Sequence, residues 1–212
     1  MVRKRVFGVF SIISGVLSIL LLVTTSPIYS SPAQSLSFVT SNSASYLDVA
    51  ALVLVLAWMP FSVLFAVGLG ALLRSKDHAI AQAATLLSAG GILLSGYGTY
   101  SGISAFFSIA KAGSLAPGQA EAAYQVAIWA NLEYFLTDPG LMAWGVGLLL
   151  FGWLAWKSRV LPNWLSFLGL LGGVSSVLAS LLPPAIAVTL AFVAIAIFAI
   201  WGLATGLLLL RK

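Results

Sequence analysis

Six stretches of this sequence, each about 18 to 31 residues long, contain no Asp, Glu, Lys or Arg: 6–23, 49–73, 80–110, 139–156, 164–182 and 185–210. A membrane-spanning helix needs about 20 mostly apolar residues, because each residue rises 1.5 Å and the hydrocarbon layer is about 30 Å thick. The stretches are continuously apolar, whereas barrel strands alternate in polarity and are roughly half as long. With no water in the bilayer core to satisfy the backbone, helices are the remaining solution. Charged residues make up 7% of the chain, against roughly a quarter in a soluble domain. Fifteen ionic side chains, 10 basic and 5 acidic, are too few to cover a water-facing surface. The expected fold is therefore all-α: one polytopic transmembrane bundle of six helices over residues 1–212.

The ionic residues cluster between the apolar stretches. Arg3, Lys4 and Arg5 precede the first, Arg74 and Lys76 follow the second, Lys157 and Arg159 follow the fourth, and Arg211 and Lys212 end the chain. Six crossings put all nine on one side and leave only Lys111 on the other. Four of the five acids, Asp48, Glu121, Glu133 and Asp138, fall on the side of Lys111, and Asp77 joins the cations. Positive charge stays on the cytoplasmic side, so both termini are expected in the cytoplasm of a cell-membrane protein. The first apolar stretch exceeds the usual 7–15 residues of a signal-peptide core and is read as a retained helix.

Residues 24–47 form an uncharged, Ser- and Thr-rich segment with Pro27 and Pro32, read as an outer loop. Residues 117–136 mix Gln119, Glu121, Gln125, Asn131 and Glu133 with Tyr124, Trp129, Tyr134 and Phe135. That composition suits an outer interfacial helix, broken from the fourth span at Thr137-Asp138-Pro139-Gly140, where Asp138 is placed to cap and Pro139 to start a helix. A single long kinked helix over 117–156 is the alternative. The third stretch carries Gln82, Thr85, Ser88, Ser95, Thr99, Ser101, Ser104, Tyr97 and Tyr100, a polarity that would be wasted on lipid, so it is expected at the centre of the bundle. Small-xxx-small pairs at Gly98/Gly102, Gly169/Gly173 and Gly202/Gly206 offer close backbone approach, and intrachain packing is the first reading of them.

Chemistry is sparse. The absence of cysteine removes disulfides and thiolate sites, and the single His78 removes multi-histidine metal centres; no cofactor is expected. No nucleophile elbow, Walker loop, zinc-protease motif or dinucleotide fingerprint occurs. The net charge of +5 comes from span ends rather than a basic patch with interleaved aromatics, so nucleic acid is not an expected partner. Asn131, Glu133 and Asp138 form the one polar cluster near a span end, and with Tyr100 they are the binding candidates. As a site they would offer oxygen ligands to a proton or hard cation; as structure, Asp138 is an N-cap among interfacial carboxylates.

Ala66-Val67-Gly68-Leu69-Gly70-Ala71-Leu72-Leu73-Arg74, then Gly147 to Trp153, then Lys157-Ser158-Arg159-Val160-Leu161-Pro162-Asn163-Trp164-Leu165 leading into Gly169-Leu170-Leu171-Gly172-Gly173-Val174, form a pattern. It is similar to a large prokaryotic family of six-helix membrane proteins known only as a domain of unknown function. The resemblance implies six helices and brings no activity, catalytic residue or cofactor. Three functions follow as expectations. The first is an accessory subunit or scaffold without catalytic chemistry, packing on membrane lipids and on partner subunits or a second copy. The second is a small-solute or ion transporter or channel with an outward-facing polar path through Glu133, Asp138 and the third helix. The third is a lipid-handling enzyme built on an acid/base pair at the interface.

Overall fold

The computed structural model describes residues 2–29, 44–111, 138–182 and 184–211. These form six helices: α1 (Val2–Tyr29), α2 (Ala44–Leu73), α3 (His78–Lys111), α4 (Asp138–Ser158), α5 (Asn163–Ala179) and α6 (Pro184–Arg211). Five are long and apolar enough to cross a membrane, and α5 is a shorter apolar helix of 17 residues. The described residues contain no strand. The interfacial helix expected over 117–136 and residues 30–43 of the outer loop lie outside the described residues.

α1 continues past residue 23 to Tyr29, through the first part of the segment read as a loop. The reason is local. Thr24 Oγ1 donates to Leu20 O at 2.9 Å and Thr25 Oγ1 to Leu21 O at 2.7 Å, so each hydroxyl is satisfied by its own helix and polarity does not end it. At the other side, Asp77 caps α3: its Oδ1 accepts from Ile80 N at 3.0 Å while Ala81 N donates to Asp77 O at 3.1 Å. His78, the first residue of α3, accepts from Arg74 Nε at Nδ1 over 2.7 Å, so it is a tied turn residue. Arg159, in the turn after α4, takes a left-handed conformation with φ 54°.

The helices form a ring in chain order, each packed on the next, and α6 closes the ring on α1. Six antiparallel helices bring Val2 and Arg211 to one end, the termini end, with the turns at 74–77 and 159–162. The loop end carries the connections across 30–43, 112–137 and 180–183. Contrary to the expectation from its hydroxyls, α3 is not central: it forms one wall, between α2 and α4. Thr85 Oγ1 donates to Ala81 O at 2.7 Å and Thr99 Oγ1 to Ser95 O at 2.9 Å, so these groups need no surrounding helices.

In lipid, association comes from close packing and interhelical hydrogen bonds rather than from apolar burial. Three seams are built that way. Between α4 and α5, a Cβ on Gly173 would lie 2.7 Å from Gly145 O, and one on Gly152 would lie 2.9 Å from Ser166 O; Ser176 Oγ donates to Leu141 O at 2.7 Å. Between α1 and α6, a Cβ on Gly206 would lie 2.6 Å from Gly8 O, and Ser11 Oγ donates to Gly202 O at 2.6 Å. Between α3 and α4, Gly91 faces Gly140 and Trp144, and Gly147 faces Ser88. The pairs Gly169/Gly173 and Gly202/Gly206 therefore pack within the chain. The surroundings of Gly102 lie outside the described residues.

The middle of the ring is filled from α2, α4 and α6. Trp58 and Phe65, Trp144, and Phe198 and Trp201 meet with ring centroids 5.1 to 6.5 Å apart, mostly edge to face. All five are nearly inaccessible. On the outside, Trp156 and Trp164 are more than half exposed, as anchors at a membrane interface are.

Candidate functional site

Above the aromatic layer, towards the loop end, the ring surrounds a partly open cavity of about 120 Å³ to which all six helices contribute. Its floor is Trp58 and Trp144, and most of its wall is apolar, including Val55, Leu141 and Ile195. Small residues leave room for it, Gly96 on α3, Ala179 on α5, and Ala187 and Ala191 on α6, although Phe192 and Ile195 of α6 also line it. One turn or two further towards the termini end, α6 instead presents Phe198 and Trp201.

Among the described residues, three hydroxyls and a carboxylate line the cavity: Thr25 on α1, Ser95 and Thr99 on α3, and Asp138 at the first residue of α4. Asp138 is half-buried, and its carboxylate has no partner among the described residues. Thr25 and Thr99 bond to their own helices as above, and Ser95 Oγ points at Ile92 O over 3.4 Å. Trp58 Nε1 donates to Ser18 Oγ at 2.8 Å; Ser18 Oγ donates to Ser14 O at 2.8 Å, and Ser14 and Ser62 share a hydrogen bond of 2.8 Å. That chain ties α1 to α2 behind the floor. Trp144 Nε1, by contrast, is buried with no acceptor among the described residues. A buried indole N–H without a partner costs free energy that a bound acceptor or water would relieve.

Of the four binding candidates read from sequence, Asp138 lines the cavity. Tyr100 is partly buried against the core and is not part of the lining. Asn131 and Glu133 lie outside the described residues. Trp58 and Trp144, which form the floor, are not among those candidates. Their signal was position: tryptophan favours the membrane interfaces, and both stand within charge-free spans. Among the described residues the lining has one carboxylate, Asp138, and no His, Lys, Arg or Tyr. The described residues hold no group of three or more His, Cys, Asp or Glu able to bind a metal.

Fold and cavity together define a polytopic helical membrane protein with a small, mostly apolar internal pocket at one end. The sequence comparison adds the family. Residues 6–212 match the one described as Domain of unknown function (DUF4386), and the chain belongs to it. No match was found among the curated proteins or the solved structures.

Proposed function

We propose that this is a non-catalytic, non-conducting integral membrane protein that serves as an accessory subunit or scaffold for other membrane chains. The observation that carries this reading is the aromatic layer: Trp58, Phe65, Trp144, Phe198 and Trp201 close the ring across its middle. The glycine seams support it further, because helices in backbone contact resist the rearrangement that alternating access requires. The bias of nine cations to one end supports both termini being cytoplasmic and the cavity facing outward. Purification in mild detergent tests the role, with a stoichiometric membrane partner expected to co-purify. Recovery of the chain alone, together with solute uptake in proteoliposomes, would overturn it. A second reading, a small-solute carrier in its outward-facing state, draws on Asp138 lining a cavity closed on the opposite side; counterflow of a labelled solute is its test.

A further inference from the structure

Beyond either role, we propose that the loop-end cavity binds a primary ammonium group carried on a short apolar body. What decides the ligand class is which hydrogen-bonding valences remain open on the lining. A hydroxyl has one proton and two lone pairs. Thr25, Thr99 and Ser95 direct their protons to Leu21 O at 2.7 Å, Ser95 O at 2.9 Å and Ile92 O at 3.4 Å. Each oxygen is left with acceptor capacity alone. Asp138, when ionised, adds two acceptor oxygens and no donor. Trp58 has committed its N–H to Ser18, so of the two indoles on the described lining Trp144 keeps an uncommitted N–H. Among the described lining residues, four acceptor side chains stand against one open donor, a balance that matches a group that is positive and rich in N–H and leaves the Trp144 N–H to a water. An anion would meet lone pairs from Thr25, Ser95 and Thr99 and the charge of Asp138.

The remainder of the lining narrows the class. A bare metal cation needs about six oxygen ligands or its own water shell, and Val55, Leu141, Ala191 and Ile195 supply neither. A dry apolar cavity of about 150 Å³ takes a benzene ring; about 120 Å³ here suits a chain of about four carbons. The ammonium then sits at Asp138, with Thr99 and Ser95 as further acceptors, and the hydrocarbon lies on the indole floor. Its source is either a free amine or the primary ammonium of a phosphatidylethanolamine headgroup.

The test uses the full-length protein in phosphatidylcholine nanodiscs, titrated calorimetrically with n-butylammonium or with n-butanol, after subtraction of empty nanodiscs. Choline cannot donate an N–H bond and so does not compete by this chemistry. The ammonium is expected to bind at least about tenfold more tightly than the alcohol, the range of a charge-assisted hydrogen bond. Asp138→Asn should abolish that preference while leaving the alcohol unchanged. Thr99→Val, close in shape, should weaken the ammonium roughly threefold, and it carries the test if Asp138→Asn does not fold. In phosphatidylethanolamine nanodiscs, loss of butylammonium binding identifies the headgroup as the occupant, and retention identifies a free amine. Equal binding of alcohol and amine, unchanged amine binding in the folded variants, or no heat from either probe would overturn the proposal. None of these outcomes depends on whether a partner chain co-purifies or a solute is carried.

Discussion

Two neighbouring glycines on α3 allow one substitution to be made in two environments. A Cβ at Gly90 would meet nothing within 4 Å. A Cβ at Gly91 would meet Trp144 N, Gly140 O at 2.6 Å and Trp144 Cα at 2.7 Å, all backbone of α4. Backbone in a membrane helix cannot turn aside as a side chain does, so α3 and α4 would have to separate by about 1 Å to restore ordinary contact. A gap of that size forfeits a quarter to a half of each contact along the seam, and overpacking of this kind costs roughly 1–3 kcal/mol. Gly90→Ala removes backbone freedom from the unfolded chain without a clash, a gain of up to about 1 kcal/mol. Thermal unfolding in a mild detergent, followed by the fraction remaining monodisperse, should separate the two variants in opposite directions. At roughly 2–4 °C per kcal/mol for a chain of this size, Gly91→Ala falls by several degrees while Gly90→Ala holds or rises. Equal shifts in the two variants would mean that the α3–α4 seam is not a backbone contact, and the account of ring assembly would fail with it.

Arg159 holds φ 54°, a conformation that costs a residue with a Cβ roughly 1–2 kcal/mol; Arg159→Gly should therefore raise the melting temperature, and a fall would contradict the assigned turn. Ser176→Ala deletes the 2.7 Å bond to Leu141 O and should cost about 0.5–1.5 kcal/mol, the range for interhelical hydrogen bonds in membranes, read by the same melt. Trp144→Phe removes a buried donor that has no acceptor among the described residues and keeps most of the ring, so it should be close to neutral in stability; a loss above about 2 kcal/mol would reveal a partner for that N–H. The chain has no cysteine, so single cysteines at Lys76 and Arg211 report cleanly: a membrane-impermeant maleimide should modify both from the same side, the cytoplasmic one, and modification from opposite sides would break the six-crossing topology.

The helices were legible because a charge-free stretch of twenty or more residues leaves the backbone one way to satisfy itself in lipid. Their ends were less so. Thr24 and Thr25 read as the start of a loop by polarity, yet their hydroxyls return to Leu20 and Leu21 and α1 runs on. The same bonding misplaced α3: a tally of hydroxyls treats each as needing a neighbour, whereas Thr85 and Thr99 meet their needs one turn back on the same helix. Asp138 could be picked out as a carboxylate at a span end. That it faces a cavity floored by Trp58 and Trp144 could not be read, because the floor is made by residues 86 positions apart, whose meeting depends on how the ring closes.

Side-chain size around the ring explains both the closure and the cavity. The even-numbered helices send large rings to the centre, namely Trp58, Phe65, Trp144, Phe198 and Trp201. The odd-numbered helices bury no ring among the described residues: they bury aliphatic Leu21, Ile92, Ile103 and Leu165 and small residues such as Ser14, Ser18 and Ala84. Large against small fills a six-helix interior that equal side chains would leave either strained or hollow. The alternation lapses at one level. Towards the loop end α6 lines the space with Ala187 and Ala191 beside Phe192, and Gly96 and Ala179 line it from α3 and α5, so several small residues share one level and a cavity results. The part of such a void that is closed off costs stability in proportion to its volume, and larger aliphatic residues on α6 would fill it. Ala191→Leu therefore separates the two meanings of the space. If the cavity is only a packing defect, the variant is more stable and otherwise unchanged; if it is a ligand site, stability rises and n-butylammonium binding is lost. A variant that is no more stable would show instead that the space is already occupied.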